Sequence, residues 1–219
     1  MRLLTRQLWF PDPRTAQRGE LDGLVAIGGD LSLERLLLAY KSGIFPWSAD
    51  PITWWSPDPR AVFEHGSFRL SKSLAKFLRK NPFTITRDRA FKQVIEACAV
   101  TTPTRRETWI SQEFVAAYTA LHQAGHAHSV ECWLGDDLVG GIYGVQVGAL
   151  FAGESMFHRA DNASKVALHH LLQHVESRGF QLFDTQVLNP TTEQLGASQI
   201  PREDYLQRLS RAIRQPCLF

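Results

Sequence analysis

Asp184 and Gln186 stand two residues apart in 181–188, a run whose composition predicts a β-strand, so alternation would project both from one face. A carboxylate so placed can hold an ammonium group and help remove its proton, which an attacking α-amino group requires because it is largely protonated near neutral pH. A strand aspartate also commonly satisfies backbone donors, and the pair alone does not choose between the two roles. Lys72, Lys76, Arg79 and Lys80 recur at i, i+4, i+7 and i+8, one cationic stripe if 71–80 is helical, and such a stripe suits a polyanion. Trp109 near Arg105 and Arg106 favours a nucleic-acid setting over a sealed core. Metal chemistry is not expected. His170 and His174 are four apart, but Leu171 stands where a zinc protease motif needs glutamate, and His126 and His128 bring no further ligands. Cys98, Cys132 and Cys217 form an odd set without Cys-x-x-Cys spacing and read as reduced thiols.

These groups need elements to place them. Ser32 is positioned to cap a helix whose Leu33, Leu36, Leu37 and Tyr40 share a face, and Gly43 to end it. The stretch 43–60 then sets Trp47, Trp54 and Trp55 among prolines and reads as a rigid aromatic loop. Helices are predicted over 71–80, with Leu74, Phe77 and Leu78 inward, and over 111–124. From 128 onward the pattern becomes strands at 128–134, 138–147 and 149–157, an antiparallel meander. Asn162 is placed to cap a helix running to Arg178, and 181–188 supplies a closing strand. The expected class is α+β: a small N-terminal α/β domain over 1–62, then a domain over 63–219 with the meander, helix, strand order of Gcn5-related N-acyltransferases. A coenzyme A enzyme of that order needs a glycine-rich turn at the start of the central helix to cradle pyrophosphate. Here the turn is Arg159-Ala160-Asp161-Asn162-Ala163-Ser164-Lys165, without glycine and with a carboxylate where phosphates would sit. An acyl group delivered on another carrier is the better reading, and no cofactor is expected.

Composition sets the outer bounds. With 219 residues, 44% of them apolar, the chain can bury a substantial core. No basic start precedes an apolar run, and no apolar stretch approaches bilayer length, so a cytoplasmic protein without membrane contact is expected. The net charge of +2 conceals an uneven distribution: 71–110 carries nine basic side chains against three acidic, and 111–199 carries three against nine. One region suits a polyanion and the other a cation.

Several blocks resemble bacterial leucyl/phenylalanyl-tRNA–protein transferases in order along nearly the whole chain. They include Gly28-Gly29-Asp30-Leu31, Gly43-Ile44-Phe45-Pro46-Trp47, Trp54-Trp55-Ser56-Pro57-Asp58-Pro59-Arg60, Gly153-Glu154-Ser155-Met156-Phe157, Asn162-Ala163-Ser164-Lys165 and Asp184-Thr185-Gln186-Val187-Leu188-Asn189. The resemblance implies transfer of Leu, Phe or, less well, Met from aminoacyl-tRNA to proteins beginning with Arg or Lys, which marks the acceptor for degradation. It implies Asp184 as the base with Gln186 relaying or orienting, and Glu154 with Asn189 at the acceptor. The donor side chain would lie among Ile142, Phe151, Met156, Leu168, Leu171, Val175 and Phe183. Trp47 and Trp109 would sandwich the terminal adenine, with Tyr40 and Tyr118 lining the same channel, and Lys72, Lys76, Arg79 and Lys80 would meet the tRNA backbone. Some relatives carry aromatics in place of Leu171 and Val175 and an aliphatic in place of Phe183, so the donor pocket is reshaped here. Two rival readings are a coenzyme A-dependent N-acyltransferase and a non-catalytic tRNA-binding module.

Overall fold

The computed structural model describes residues 2–17, 19, 22–80, 82–101 and 108–219, so Arg105 and Arg106 lie outside the described residues. In chain order the elements are β1 (Leu3–Leu4), β2 (Leu24–Gly28), α1 (Leu33–Lys41), β3 (Phe45–Ala49), β4 (Ile52–Trp55), β5 (Arg60–Phe63), α2 (Lys72–Lys80), β6 (Thr84–Arg87), α3 (Phe91–Ala99), α4 (Gln112–Gln123), β7 (Ala127–Leu134), β8 (Asp137–Val147), β9 (Leu150–His158), α5 (Ala163–Ser177), β10 (Leu182–Gln186), α6 (Pro190–Gln194), β11 (Ser198–Ile200) and α7 (Arg202–Ala212). They form a four-stranded sheet in the order β1-β2-β4-β3 and a seven-stranded sheet in the order β11-β5-β10-β9-β8-β7-β6. The chain leaves the smaller sheet after Trp55 and enters the larger one at Arg60, a few residues before the expected division at 62.

The α+β class and the expected element order are present. β7, β8 and β9 make the antiparallel meander, α5 follows, and β10 returns parallel to β9. Period-two alternation gives the larger sheet two apolar faces. Tyr143, Val145, Leu150 and Leu182 pack in one cluster with α1, α3, α4 and α7. Val130, Ile142, Phe151 and Phe183 pack in the other, under α5. Gly140 allows α5 to settle on β8, since a Cβ there would stand 2.4 Å from Ala163 Cβ. Asn162 precedes α5 in a left-handed conformation (φ 64°) and makes no side-chain cap, unlike Ser32, whose Oγ accepts from Arg35 N as expected.

The stretch expected to be an aromatic loop is instead regular structure. β3 and β4 pair antiparallel, Phe45 opposite Trp55 and Pro46 opposite Trp54, with the register broken between Pro46 and Ser48. Proline is tolerated there because β3 is an edge strand, where a missing N–H breaks no ladder bond, and because a bulge follows it. Among the described residues no helix is long and apolar enough to cross a membrane.

Candidate active site

β10 does not continue its alternation to the end. Asp184 pairs with Val62 and Gln186 with Ala61, so the register against β5 shifts between them, and Gln186 has φ 57°. A non-glycine residue in that region is strained unless its surroundings hold it. Here Asp184 holds it, with Oδ1 accepting from Gln186 N at 2.8 Å. The same carboxylate accepts from Arg60 Nε at 2.9 Å, Arg60 Nη2 at 2.6 Å and Tyr205 Oη at 2.8 Å. Asp184 is fully buried. A carboxylate offers about four lone-pair sites, and these four donors occupy them. Arg60 is in turn stacked between the rings of Phe45 and Tyr205 and donates to Gly43 O at 3.1 Å. The expectation that Asp184 and Gln186 share a face is therefore corrected. The bulge turns Gln186 toward a cavity while Asp184 stays in a sealed ion pair that clamps the turn.

That cavity, about 150 Å³, is lined by Phe45, Pro46, Trp47, Trp109, Glu154, Thr185, Gln186, Val187 and Asn189. Glu154 on β9 is its acidic group. Its Oε1 accepts from Gln186 Nε2 at 2.8 Å and from Tyr40 Oη at 2.8 Å, and its Oε2 from Tyr118 Oη at 3.3 Å. Burial of the carboxyl pushes its pKa up to about 7, and the nearby Asp184 adds to the rise, while the two tyrosines and Gln186 work against it. Tyr40 and Tyr118, their hydroxyls 2.6 Å apart, are buried beneath Glu154 and do not line the channel as expected. Each large ring is packed in the core with its hydroxyl satisfied below the carboxylate. The two tryptophans do reach the cavity. Trp47 is 42% exposed, and Trp109 packs edge-on to Phe114 at 5.1 Å.

A second cavity of about 250 Å³ adjoins through Thr185 and Asn189. Ile142, Met156, Leu168 and Phe183 line it. Phe151 stacks on Phe183, Leu171 is buried on the core face of α5, and Val175 lines a separate cavity that Phe183 also borders. Asn189 lines both adjoining cavities while capping α6, its Oδ1 accepting from Thr191 N and Thr192 N at 3.0 Å each. On α2 the side chains of Lys72, Lys76, Arg79 and Lys80 are exposed, and none forms an ion pair among the described residues. Sequence reasoning missed Arg60 and Tyr205. Arg60 had a signal, as the lone charge in the apolar strand Arg60-Ala61-Val62-Phe63, whereas Tyr205 is simply one turn position of an amphipathic helix.

A meander-helix-strand sheet that brings an amide and a buried carboxyl group into one cleft, beside an apolar cavity and two indoles, fits an acyl-transfer enzyme. The model of the leucyl/phenylalanyl-tRNA protein transferase family matches residues 62–210, and that of its N-terminal domain matches residues 29–58. A leucyl/phenylalanyl-tRNA–protein transferase of Klebsiella pneumoniae (strain 342) is 52% identical over 100% of this chain and 94% of its own. Those of Shewanella sp. (strain W3-18-1) and Shewanella baltica (strain OS155 / ATCC BAA-1091) are also 52% identical, over 92% and 94% of this chain and 86% and 88% of theirs. The chain belongs to the leucyl/phenylalanyl-tRNA–protein transferase family and is an aminoacyltransferase.

Proposed function

We propose that this enzyme moves Leu, Phe or, less well, Met from aminoacyl-tRNA to the α-amino group of proteins beginning with Arg or Lys, in the cytoplasm, and so marks them for degradation. The observation that carries the reading is the Glu154 to Gln186 contact at 2.8 Å inside a cavity flanked by Trp47 and Trp109. The terminal adenine stacks on the two indoles, a contact contributing about 1–3 kcal/mol per base. The esterified side chain enters the apolar cavity lined by Ile142, Met156, Leu168 and Phe183. The acceptor's cationic N-terminal residue meets Glu154 and Asn189, where charge-assisted bonds favour Arg and Lys.

In the reaction the acceptor's ammonium group first loses a proton to solvent, the neutral amine nitrogen attacks the ester carbonyl, a peptide C–N bond forms, the ester C–O bond breaks, and the departing ribose oxygen takes the second proton that the nitrogen loses. Gln186 orients the amine. Asp184 acts as a positioning residue through Gln186, because its lone pairs are committed to Arg60, Tyr205 and the Gln186 backbone. Lys72, Lys76, Arg79 and Lys80 on α2 take the tRNA backbone.

The test is label transfer to peptides beginning with Arg, Lys, Ala or Glu, from tRNA charged with Leu, Phe or Met and from acetyl-CoA. Transfer from charged tRNA to the Arg and Lys peptides is expected. Transfer from acetyl-CoA, or indifference to the first acceptor residue, would refute the reading.

A further inference from the structure

The wall of the apolar cavity is several rings deep. Phe183, which lines it, stacks on Phe151 with centroids 5.6 Å apart and planes 21° from parallel, and Phe151 stacks in turn on Phe219 at 5.5 Å and 26°. Phe151 rests on bare backbone on its other side, since a Cβ at Gly144 would stand 2.4 Å from its Cε1. Phe180 meets the ring edge-on at 6.0 Å, and Phe219 is the neighbour other than Phe183 that stacks on it.

Phe219 is partly buried and packs against this cluster. Its ring stacks on His128 at 4.3 Å and meets the edge of His174 at 4.6 Å, while His128 Nδ1 lies 2.7 Å from Asp88 Oδ2. The backbone leading to it is tied down: Gln146 Nε2 donates to Cys217 O at 2.6 Å and Arg178 Nε to Leu218 O at 2.9 Å. Leu218 between these ties is 74% exposed. The strap thus turns a leucine out to solvent and inserts a phenylalanine behind the cavity wall.

We propose that Phe219 is a specificity-positioning residue: by backing Phe151, it sets how far Phe183 can retreat and so how large a donor side chain the cavity accepts. The inference rests on reading that cavity as the donor side-chain pocket. Its physical basis is that close-packed interiors transmit displacements, and that a ring deleted from a stack leaves a void into which its neighbours partly relax. Relaxation of Phe151 and Phe183 toward the void deepens the cavity, which favours a planar six-membered ring over a branched four-carbon side chain.

The experiment measures kcat/KM for Leu-tRNA and Phe-tRNA, with one Arg peptide, in the wild type and in Phe219→Ala, Phe219→Leu and Leu218→Ala. Since a single methylene in an apolar pocket discriminates by roughly 10–200-fold, partial relaxation should raise the Phe:Leu ratio about 3–10-fold in Phe219→Ala, chiefly through the donor KM. Phe219→Leu, which keeps most of the volume, should shift the ratio less, and Leu218→Ala should leave it unchanged. If Phe219→Ala does not fold, the shift in Phe219→Leu decides. An unchanged ratio, including an equal loss with both donors, would overturn the proposal. Met156→Ala and Leu168→Ala, run alongside, keep the two readings apart. If these also leave the ratio unchanged, the pocket assignment itself fails; if they shift it while Phe219 variants do not, only this inference fails.

Discussion

At the residue scale the decisive feature is the division of labour between two carboxylates. Asp184 looked like the reactive one because of its spacing from Gln186, and the alternative that a strand aspartate serves backbone donors also holds, since it accepts from Gln186 N. What the spacing could not show is that the strand bulges between the two residues and that Arg60, 124 positions away in sequence, fills the carboxylate's other sites. A base touching the amine would lose transfer on substitution without losing stability. Asp184→Asn instead leaves the Arg60 charge buried and unpaired, so both transfer and stability should fall, the latter by about 3–5 kcal/mol. The double variant Arg60→Met with Asp184→Leu should regain much of that stability in urea unfolding while transfer stays low, because Gln186 loses its clamp. A double variant that transfers at the wild-type rate would refute the positioning role. Glu154 makes a separate prediction. Its folded pKa of about 7 exceeds its ordinary 4.5, so its protonated form stabilises the fold below about pH 4.5 and that contribution is lost as pH rises toward and through 7. Glu154→Gln should therefore gain in melting temperature relative to the wild type between pH 5 and pH 8, and should lose transfer to Arg and Lys peptides by roughly 10–100-fold at pH 8, the loss of a charge-assisted bond. A constant difference in melting temperature across that range would show that the carboxyl does not titrate there.

At the element scale, legibility followed how local the cause was. α1 and α4 end at Gly43 and Gly125, both at positive φ, and the meander's strands fall within two residues of their expected bounds, because caps, turn glycines and alternation are written into contiguous residues. α3 was not read, and its N-terminus explains why. Ala90 offers no cap, and its N–H turns to Glu131 Oε1 at 3.4 Å, a residue on β7 that Thr86 and Ser129 also bond. β3 was missed for the opposite reason: a proline forbids a central strand but not an edge one. α2 was legible in both its faces, with Leu74 buried and four cations exposed. Its charge leads to a measurement of binding. Neutralising Lys72, Lys76 and Arg79 should lower the slope of log affinity for tRNA against log salt by roughly 0.9 for each duplex phosphate that no longer meets a cation. Transfer from an aminoacyl-adenosine minimal donor should be nearly unaffected. An unchanged slope would make the stripe a solvated helix face and nothing more.

At the scale of the whole molecule, the cleft exists because two sheets are held against each other. Phe45, Pro46 and Trp47 come from the four-stranded sheet, and Glu154 and Gln186 from the seven-stranded one, so the first cavity spans the two. Arg60 carries the tie in one direction, from β5 to Gly43 O beyond α1. Arg202 carries it in the other, from α7 to Ser56 O at 2.7 Å and, through its backbone N–H, to Asp58 Oδ1 at 3.0 Å. A ligand seated across that junction binds the folded chain and has no counterpart in the unfolded one, so it must raise stability by mass action. A non-hydrolysable aminoacyl-adenosine at about 100 times its Kd should add about 2.7 kcal/mol, and the melting temperature should rise by several degrees. Trp47→Ala removes the stacking surface contributed by the smaller sheet, while the fold loses little because that ring is 42% exposed in the free protein. The variant's melting temperature without ligand should therefore stay close to the wild type, whereas the ligand-induced rise at the same concentration should shrink as Kd weakens by about 1–3 kcal/mol. Were the rise in Trp47→Ala equal to that of the wild type, the adenosine would have to lie elsewhere, and the cavity between the two sheets would be left to the acceptor.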